Sequence, residues 1–183
     1  MKQNKNWQKL DKKDLPKLAR EIIVSHFNNQ PLNHNIKMPG FLKKPCACFV
    51  SLHYKDGSLR GCIGTILPTK PSLWQELYSN TLLAAFSDPR FPALKREELN
   101  EVYFSVDLLE KPQKKEFSEL DPKKLGLIAK TPDGRIGLLL PDIKGIDTKE
   151  KQLSICLQKG GISPFEHYQI YAFKTQRFEE KKE

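Results

Sequence analysis

The residues of this chain best suited to chemistry surround Cys62, in the segment LRGCIGT at residues 59–65. An Asp-Gly turn separates this segment from the strand before it, so the two predict a β-hairpin. A two-residue loop at that turn pairs Ser51 with Cys62. The same register pairs His53 with Arg60, and alternation puts these side chains on one face. A cation beside a thiol favours the thiolate, which makes Cys62 a candidate catalytic nucleophile.

Two glycines, Gly61 and Gly64, lie close to Cys62 in this segment. Because they remove side-chain bulk, a ligand or another part of the backbone can approach the strand closely. The alternative interpretation is structural, since cysteine is among the most buried residue types and strand glycines often mark bulges or tight packing. The residue pattern leaves both interpretations open.

Three helices are predicted around the strands. The first covers about residues 14–27, with Asp14 as its N-cap and a proline in its first turn. The second follows an N-cap at Ser72, and the third follows Asp147 or Thr148 and stops at a Gly-Gly pair. These helices would position the hairpins.

The hairpin pattern occurs twice, since a second Asp-Gly turn at residues 133–134 also lies between apolar segments and precedes a helix. The sequence therefore predicts an α+β fold from an internal strand-turn-strand-helix repeat, with mainly antiparallel sheets and a few helices. We interpret residues 1–183 as one domain. Its approximate subdomains are 14–110 and 116–178, with tails at 1–13 and 179–183, and the charged residues 111–124 are expected to join the two.

The formal net charge of +9 suggests nucleic-acid binding, so its location matters. Residues 1–44 hold ten basic residues against three acidic ones, and the rest of the chain is nearly balanced. This basic segment lacks the interleaved aromatic residues of a stacking surface, so a nucleic-acid partner is the least favoured hypothesis.

The sequence has no apolar run near the ~20 residues of a membrane span and no secretory signal, so we expect no membrane association. Four cysteines without a regular framework indicate reduced thiols and a cytoplasmic protein. Cys46 and Cys48 can begin a soft-metal site, but no second pair completes it, so a buried pair and no metal site are expected.

The segment LRGCIGT resembles the signature of the AMMECR-domain family. Further segments resemble other blocks of that family and follow in the same order. They are DPRFP at 88–92 with Glu98-Leu99, GLLLP at 137–141, Gln152, and KGGI at 159–162. The resemblance covers nearly the whole chain. One departure is Gly160, where the family more usually has alanine.

The resemblance implies an α+β fold of two subdomains with a cleft lined by the Cys62 motif. It implies no particular reaction and no identified cofactor. Microbial members belong to the AmmeMemoRadiSam system, a label that implies a Memo-type protein and a radical-SAM enzyme as partners. Besides Cys62, the residues on matching positions are candidate binding residues: Arg60, Gly61, Gly64, Asp88, Arg90, Gln152 and Lys159.

Two of these candidates also have structural explanations. Arg90 can pair with Asp88 or bind an anionic ligand in a bidentate way, and the sequence favours neither. Lys159 suits the C-terminus of a helix, where a cation is stabilised by exposed carbonyl groups. The leading hypothesis is a ligand-binding or catalytic cleft for a small molecule or peptide, and the alternative is a non-catalytic interaction module.

Overall fold

The computed structural model describes residues 10–30, 32 and 38–180. Within them, three α-helices and eight β-strands follow in this order: α1 (Leu15–Phe27), β1 (Ala47–Tyr54), β2 (Leu59–Gly64), α2 (Leu73–Phe86), β3 (Val102–Leu109), β4 (Gln113–Lys114), β5 (Gly126–Lys130), β6 (Ile136–Leu139), α3 (Lys149–Gly160), β7 (Gln169–Phe173) and β8 (Thr175–Glu179). The strands form two four-stranded sheets, ordered β2-β1-β3-β8 and β4-β7-β5-β6. This architecture confirms the predicted α+β class.

The described residues group into two compact units. The first contains those up to Leu108 and those from Arg177, and the second contains residues 109–176. The C-terminal residues belong to the first unit because β8 pairs with β3 in its sheet. The prediction of a tail from residue 179 is therefore wrong for Glu180, whose carboxylate binds the Arg20 guanidinium with an Oε2–Nη2 distance of 2.6 Å. Residues 1–9 and 181–183 of the predicted tails lie outside the described residues.

In the first unit, α1 and α2 pack against each other, and α2 covers β1 and β2. Helix α1 begins at Leu15, and its proline lies in the first turn as predicted. Asp14 does not cap it through its side chain, which instead accepts the backbone N–H of Asp11 in a preceding 3-10 turn. Ser72 caps α2 as predicted, accepting the N–H of Gln75 at 3.3 Å.

The β1–β2 hairpin pairs Ser51 with Cys62 as predicted, but it reaches that register by another route. Its loop has three residues, because the Tyr54 N–H donates to the Ser58 carbonyl at 2.9 Å. One extra residue in β2 then shifts the register, so His53 pairs with Leu59 and not with Arg60. The longer loop and the bulge offset each other.

The second unit repeats this arrangement without the bulge. Its β5–β6 hairpin also has a three-residue loop, closed by the Thr131 N–H donating to the Arg135 carbonyl at 3.0 Å. Helix α3 packs on β5 and β6, as α2 packs on β1 and β2. Thr148 caps α3 through its side chain, and Gly161 ends it with a φ of 60°. Asp147, the other predicted cap, is paired with Lys123 instead.

The predicted connection at residues 111–124 is not simply a linker. It contributes β4, which pairs with β7 in the second sheet, and a 3-10 turn, Phe117–Glu119. A charged segment with two prolines suits such a short edge strand. An edge strand pairs with a neighbour on one side only, so half of its backbone N–H groups have no role in the sheet and a proline can replace one of them. Between α1 and β1, a 3-10 turn at Gly40–Lys43 buries Leu42.

Candidate functional site

The first sheet places Cys62 on its edge strand β2, directly opposite Ser51 on β1. The Ser51 hydroxyl donates a hydrogen bond to the Cys62 sulfur, with an Oγ–Sγ distance of 3.1 Å. In this part of the antiparallel ladder the peptide groups of Cys62 point away from β1. They therefore need partners beyond the edge of the sheet.

Asp88 and Arg90 supply those partners from the turn after α2. The Asp88 carboxylate accepts the Cys62 N–H at 2.8 Å, and Arg90 Nη2 donates to the Cys62 carbonyl at 3.1 Å. The two side chains also bind each other, with Arg90 Nε–Asp88 Oδ1 at 2.9 Å and Nη2–Oδ2 at 2.7 Å. An ion pair thus takes the place of a neighbouring strand, which protects the exposed edge.

The electrostatics of this site keep the thiol protonated at neutral pH. The Arg90 guanidinium holds the pKa of Asp88 well below its usual range, so this carboxylate is charged. Burial raises the pKa of Cys62, and this effect outweighs the Ser51 hydrogen bond and the charge of Arg90, which act in the opposite direction. The cation beside the thiol therefore does not produce the expected thiolate, and a nucleophilic role for Cys62 stays a prediction.

Arg60 lies away from the thiol, which corrects the predicted shared face. As the bulged residue it turns towards Glu98, with Nε–Oε1 at 2.8 Å and Nη2–Oε2 at 3.1 Å. The same carboxylate accepts the Tyr54 hydroxyl, and the Arg60 side chain is only 2% exposed. Arg90 is therefore the arginine beside Cys62. The ring of Phe91 lies between the two guanidinium groups, 5.9 Å from that of Arg60 and 5.5 Å from that of Arg90.

Both motif glycines are required by packing inside this unit. A Cβ atom on Gly61 would lie 2.3 Å from the carbonyl oxygen of Ala84 in α2. A Cβ atom on Gly64 would lie within 2.6 Å of three atoms of Phe49. These contacts favour the structural explanation for the glycines, and a direct role in ligand binding stays a prediction.

The face that carries Cys62 also holds His53, as the sequence predicts, and residues of β3 and β8 that the sequence interpretation missed. Asp107 on β3 accepts two hydrogen bonds from Arg177 on β8, with distances of 2.8 and 3.1 Å. The sequence could have placed Asp107 on this face, since polar residues alternate with apolar ones along β3. His53 bonds the Ser105 hydroxyl through Nε2 at 3.3 Å, and burial lowers the pKa of its ring, so it is neutral at pH 7.

The other predicted site residues lie on α3 of the second unit. Gln152 is buried and donates to the Leu125 carbonyl at 2.8 Å, whereas Lys159 is exposed. At the departure from the family pattern, a Cβ atom on Gly160 would lie 2.7 Å from the backbone nitrogen of Gly137. Glycine at this position therefore permits a close approach between α3 and β6.

Cys46 and Cys48 do not form the buried strand pair that the sequence predicts. Cys48 is buried on β1, and burial raises its pKa to about 12, whereas Cys46 lies just before this strand and is half-buried. Across the described ranges, no group of three or more His, Cys, Asp or Glu side chains is arranged to hold a metal ion. Within the same residues, none of the helices has the length and apolar character that crossing a bilayer requires.

Fold and site together define an α+β protein of two repeated units, with a thiol and an arginine–aspartate pair at the edge of one sheet. The sequence model of the AMMECR1 family matches residues 16–182. The chain belongs to this family.

Relatives and one solved structure support the assignment. A protein of Thermotoga maritima is 49% identical over 138 residues, which cover 74% of this chain and 79% of that protein. Protein NEQ441 of Nanoarchaeum equitans is 34% identical over 91% of this chain and 99% of its own length. The crystal structure of PH0010 from Pyrococcus horikoshii has a TM-score of 0.81 and 29% identity, covering 92% of this chain and 91% of that one.

Proposed function

We propose that this chain binds an anionic group of a small molecule or peptide at the surface formed by Ser51, Cys62 and Arg90. The observation that carries the proposal is the state of Arg90. Its side chain is 55% exposed although Asp88 holds it by two hydrogen bonds. A guanidinium held through Nε and Nη2 and exposed at Nη1 can donate to one oxygen of a carboxylate or another oxyanion.

The free edge of Arg90 is its Nη1 group. The hydrogen bonds that Arg90 makes with described residues use the backbone N–H, Nε and Nη2. Each hydrogen bond to a charged group contributes about 1.5–3 kcal/mol, so Nη1 can anchor a ligand but cannot supply high affinity alone. A specific ligand must therefore make further contacts on the same surface.

The Cys62 thiol acts in this proposal as a neutral contact beside the anion site. A protonated thiol is a weak donor and a polarisable apolar surface. This favours ligand binding over nucleophilic catalysis, because the thiolate and not the thiol is the nucleophile.

Thiol labelling tests this distinction. Iodoacetamide labelling at pH 7, followed by peptide mass spectrometry, measures each cysteine separately, with Cys62→Ser as the control for assignment. Cys62 should react more slowly than free cysteine, whose pKa is about 8.5. Labelling of Cys62 faster than free cysteine would contradict the neutral-contact role and would support the catalytic alternative.

Anion binding tests Arg90 directly. Acetate titrated into the isotope-labelled protein should shift the backbone NMR signals of Cys62 and its neighbours. The double variant Asp88→Asn/Arg90→Gln, which removes the ion pair without leaving one charge behind, should abolish these shifts. Arg96→Gln is the matched control, since Arg96 is also an exposed arginine. Equal shifts in all three proteins would refute the site.

The proposal also covers the protein partners of this chain and its compartment. We propose that the chain acts in the cytoplasm with a Memo-type protein and a radical-SAM enzyme. The resemblance supports these partners, and four cysteines without a regular spacing support a reducing compartment. Co-purification is the test, and the Asp88→Asn/Arg90→Gln variant should keep its partners if the site serves a ligand.

An interaction module is the second candidate function, because Phe165 in the second unit is 97% exposed. The preceding Pro164 lines a pocket with Phe117, Leu153 and Tyr168, and an apolar surface of this kind is typical of a binding site. Under this alternative, Phe165→Ser abolishes co-purification, and acetate shifts the NMR signals of Cys62 in neither the native protein nor the Asp88→Asn/Arg90→Gln variant.

A further inference from the structure

The first sheet carries a second arginine–aspartate pair built like the first. Arg177 donates from Nε and Nη2 to the two oxygens of Asp107, as Arg90 does to Asp88. Both carboxylates are buried, each with a side chain 2% exposed. Both guanidinium groups are about half exposed, 47% for Arg177 and 55% for Arg90. In each pair a buried carboxylate therefore fixes the orientation of a half-exposed guanidinium group.

The Arg177–Asp107 pair lies on the same side of the sheet as the Cys62 side chain, and the Arg90–Asp88 pair lies next to Cys62 beyond the edge strand. Strands β1 and β3 both turn alternate apolar residues into the core, so Ser51 and Asp107 face the opposite side. The hydrogen bond between His53 and Ser105 joins these strands on that same side. Cys62, paired with Ser51, shares it.

The strand order sets the distance between the two arginines. Arg90 lies at β2, whereas Arg177 starts on β8 and reaches back over β3 to Asp107. Because Arg90 takes the place of a strand outside β2, three strand spacings separate it from β3, about 14 Å. Between the two arginines this face carries the small side chains of Ser51 and Cys62 and the half-buried ring of Phe49. The two guanidinium groups therefore lie at opposite ends of one stretch of the sheet.

We propose that Arg90 and Arg177 together bind the two anionic groups of one extended dianion, of the dicarboxylate class. This inference rests on the proposed anion site at Arg90 and adds the second anchor, the charge and the length of the ligand. Two contacts of about 2.8 Å each, subtracted from about 14 Å, leave roughly 8–9 Å between the ligand oxygens. Extended adipate provides such a separation, whereas inorganic phosphate is too compact.

The local charges make a sharp test possible. The two ion pairs together are neutral, and their carboxylates lie beneath the guanidinium groups, so the exposed side is positive. Glu179, exposed on β8, interacts with Arg177 and opposes an anionic ligand. Removal of this carboxylate should therefore tighten binding, an effect that a merely structural ion pair would not predict.

Calorimetric titration with adipate, acetate and inorganic phosphate tests the proposal. The native protein should bind adipate at least tenfold more tightly than acetate or phosphate. The variant Asp107→Asn/Arg177→Gln should reduce adipate binding to the level of acetate, and Glu179→Gln should strengthen it about twofold to threefold. Arg177→Lys keeps the positive charge but loses the planar guanidinium group. This variant should retain part of the preference for adipate over acetate.

The second unit offers a matched control pair. Arg135 donates from Nε to Asp133 at 2.9 Å and also pairs with Glu166, so Asp133→Asn/Arg135→Gln/Glu166→Gln removes an exposed arginine together with its counter-charges elsewhere. This control should bind adipate as the native protein does, and circular dichroism should show that all variants are folded. If adipate and acetate bind equally and only the Arg90 variant loses binding, the dianion proposal fails and the anion site stands. If neither anion binds the native protein, both proposals fail.

Discussion

Substitution of Gly61 by alanine gives the strongest test of how the Cys62 motif is built. The new Cβ would lie 2.3 Å from the Ala84 carbonyl oxygen and 3.3 Å from its carbon, both backbone atoms of α2. The helix must therefore move away from the sheet. Overpacking of this kind costs typically 1–3 kcal/mol, and a contact to rigid backbone belongs at the upper end. We expect a loss of about 2–3 kcal/mol, or roughly 4–12 °C in Tm for a chain of this size.

Urea unfolding followed by circular dichroism measures this loss. Gly40→Ala is the control, because a Cβ at Gly40 meets nothing within 4 Å. Gly137→Ala should be destabilised like Gly61→Ala, since its Cβ would lie 1.8 Å from the Cys156 carbonyl oxygen of α3. If Gly61→Ala unfolds at the native urea midpoint, the packing explanation for this motif glycine is wrong.

Three further predictions concern stability. Glu98→Gln should lower the free energy of unfolding by about 3 kcal/mol, because it leaves the buried Arg60 without its counter-charge, whereas the exposed Glu97→Gln should change it by less than about 0.5 kcal/mol. Urea titrations that give equal losses would contradict this. The pKa of Asp88 is lowered in the folded state, so its charge stabilises the fold above the unfolded pKa of about 3.9, and this contribution is lost as the pH falls below it. The stability difference between native protein and Asp88→Asn should therefore shrink below about pH 4, and a pH-independent difference would argue against an ionic origin. Gly161→Ala should cost about 1 kcal/mol because of the positive φ at this helix end, and Gly161→Asn should cost less, as thermal unfolding can show.

Local patterns determined the elements of this protein. Ser72 marks the start of α2, and Gly161 marks the end of α3, because capping depends on residues within one helical turn. The family motifs identified the family, and the site around Cys62 stays a prediction.

The partners of that thiol depended on contacts that the sequence does not encode locally. A two-residue hairpin loop placed Arg60 beside Cys62, but a three-residue loop with a bulge sends it to Glu98, 38 residues away. Such a bulge has no dependable local signal, since the stabilising ion pair forms only when the chain is folded. Arg90 takes the place beside the thiol because the turn after α2 returns to the edge of β2.

The sequence by itself thus determined the family, the fold class and the three helices, and it predicted a site around Cys62. Only the tertiary structure decided the surroundings of this thiol, because the burial that raises its pKa and the nearby charges come from other strands and turns. It also decided that Arg177 of the last strand joins Asp107, 70 residues earlier, since strand order in a sheet is set by long-range pairing. Helix ends and hairpin turns are local properties, whereas the charge state and the neighbours of a side chain belong to the folded chain.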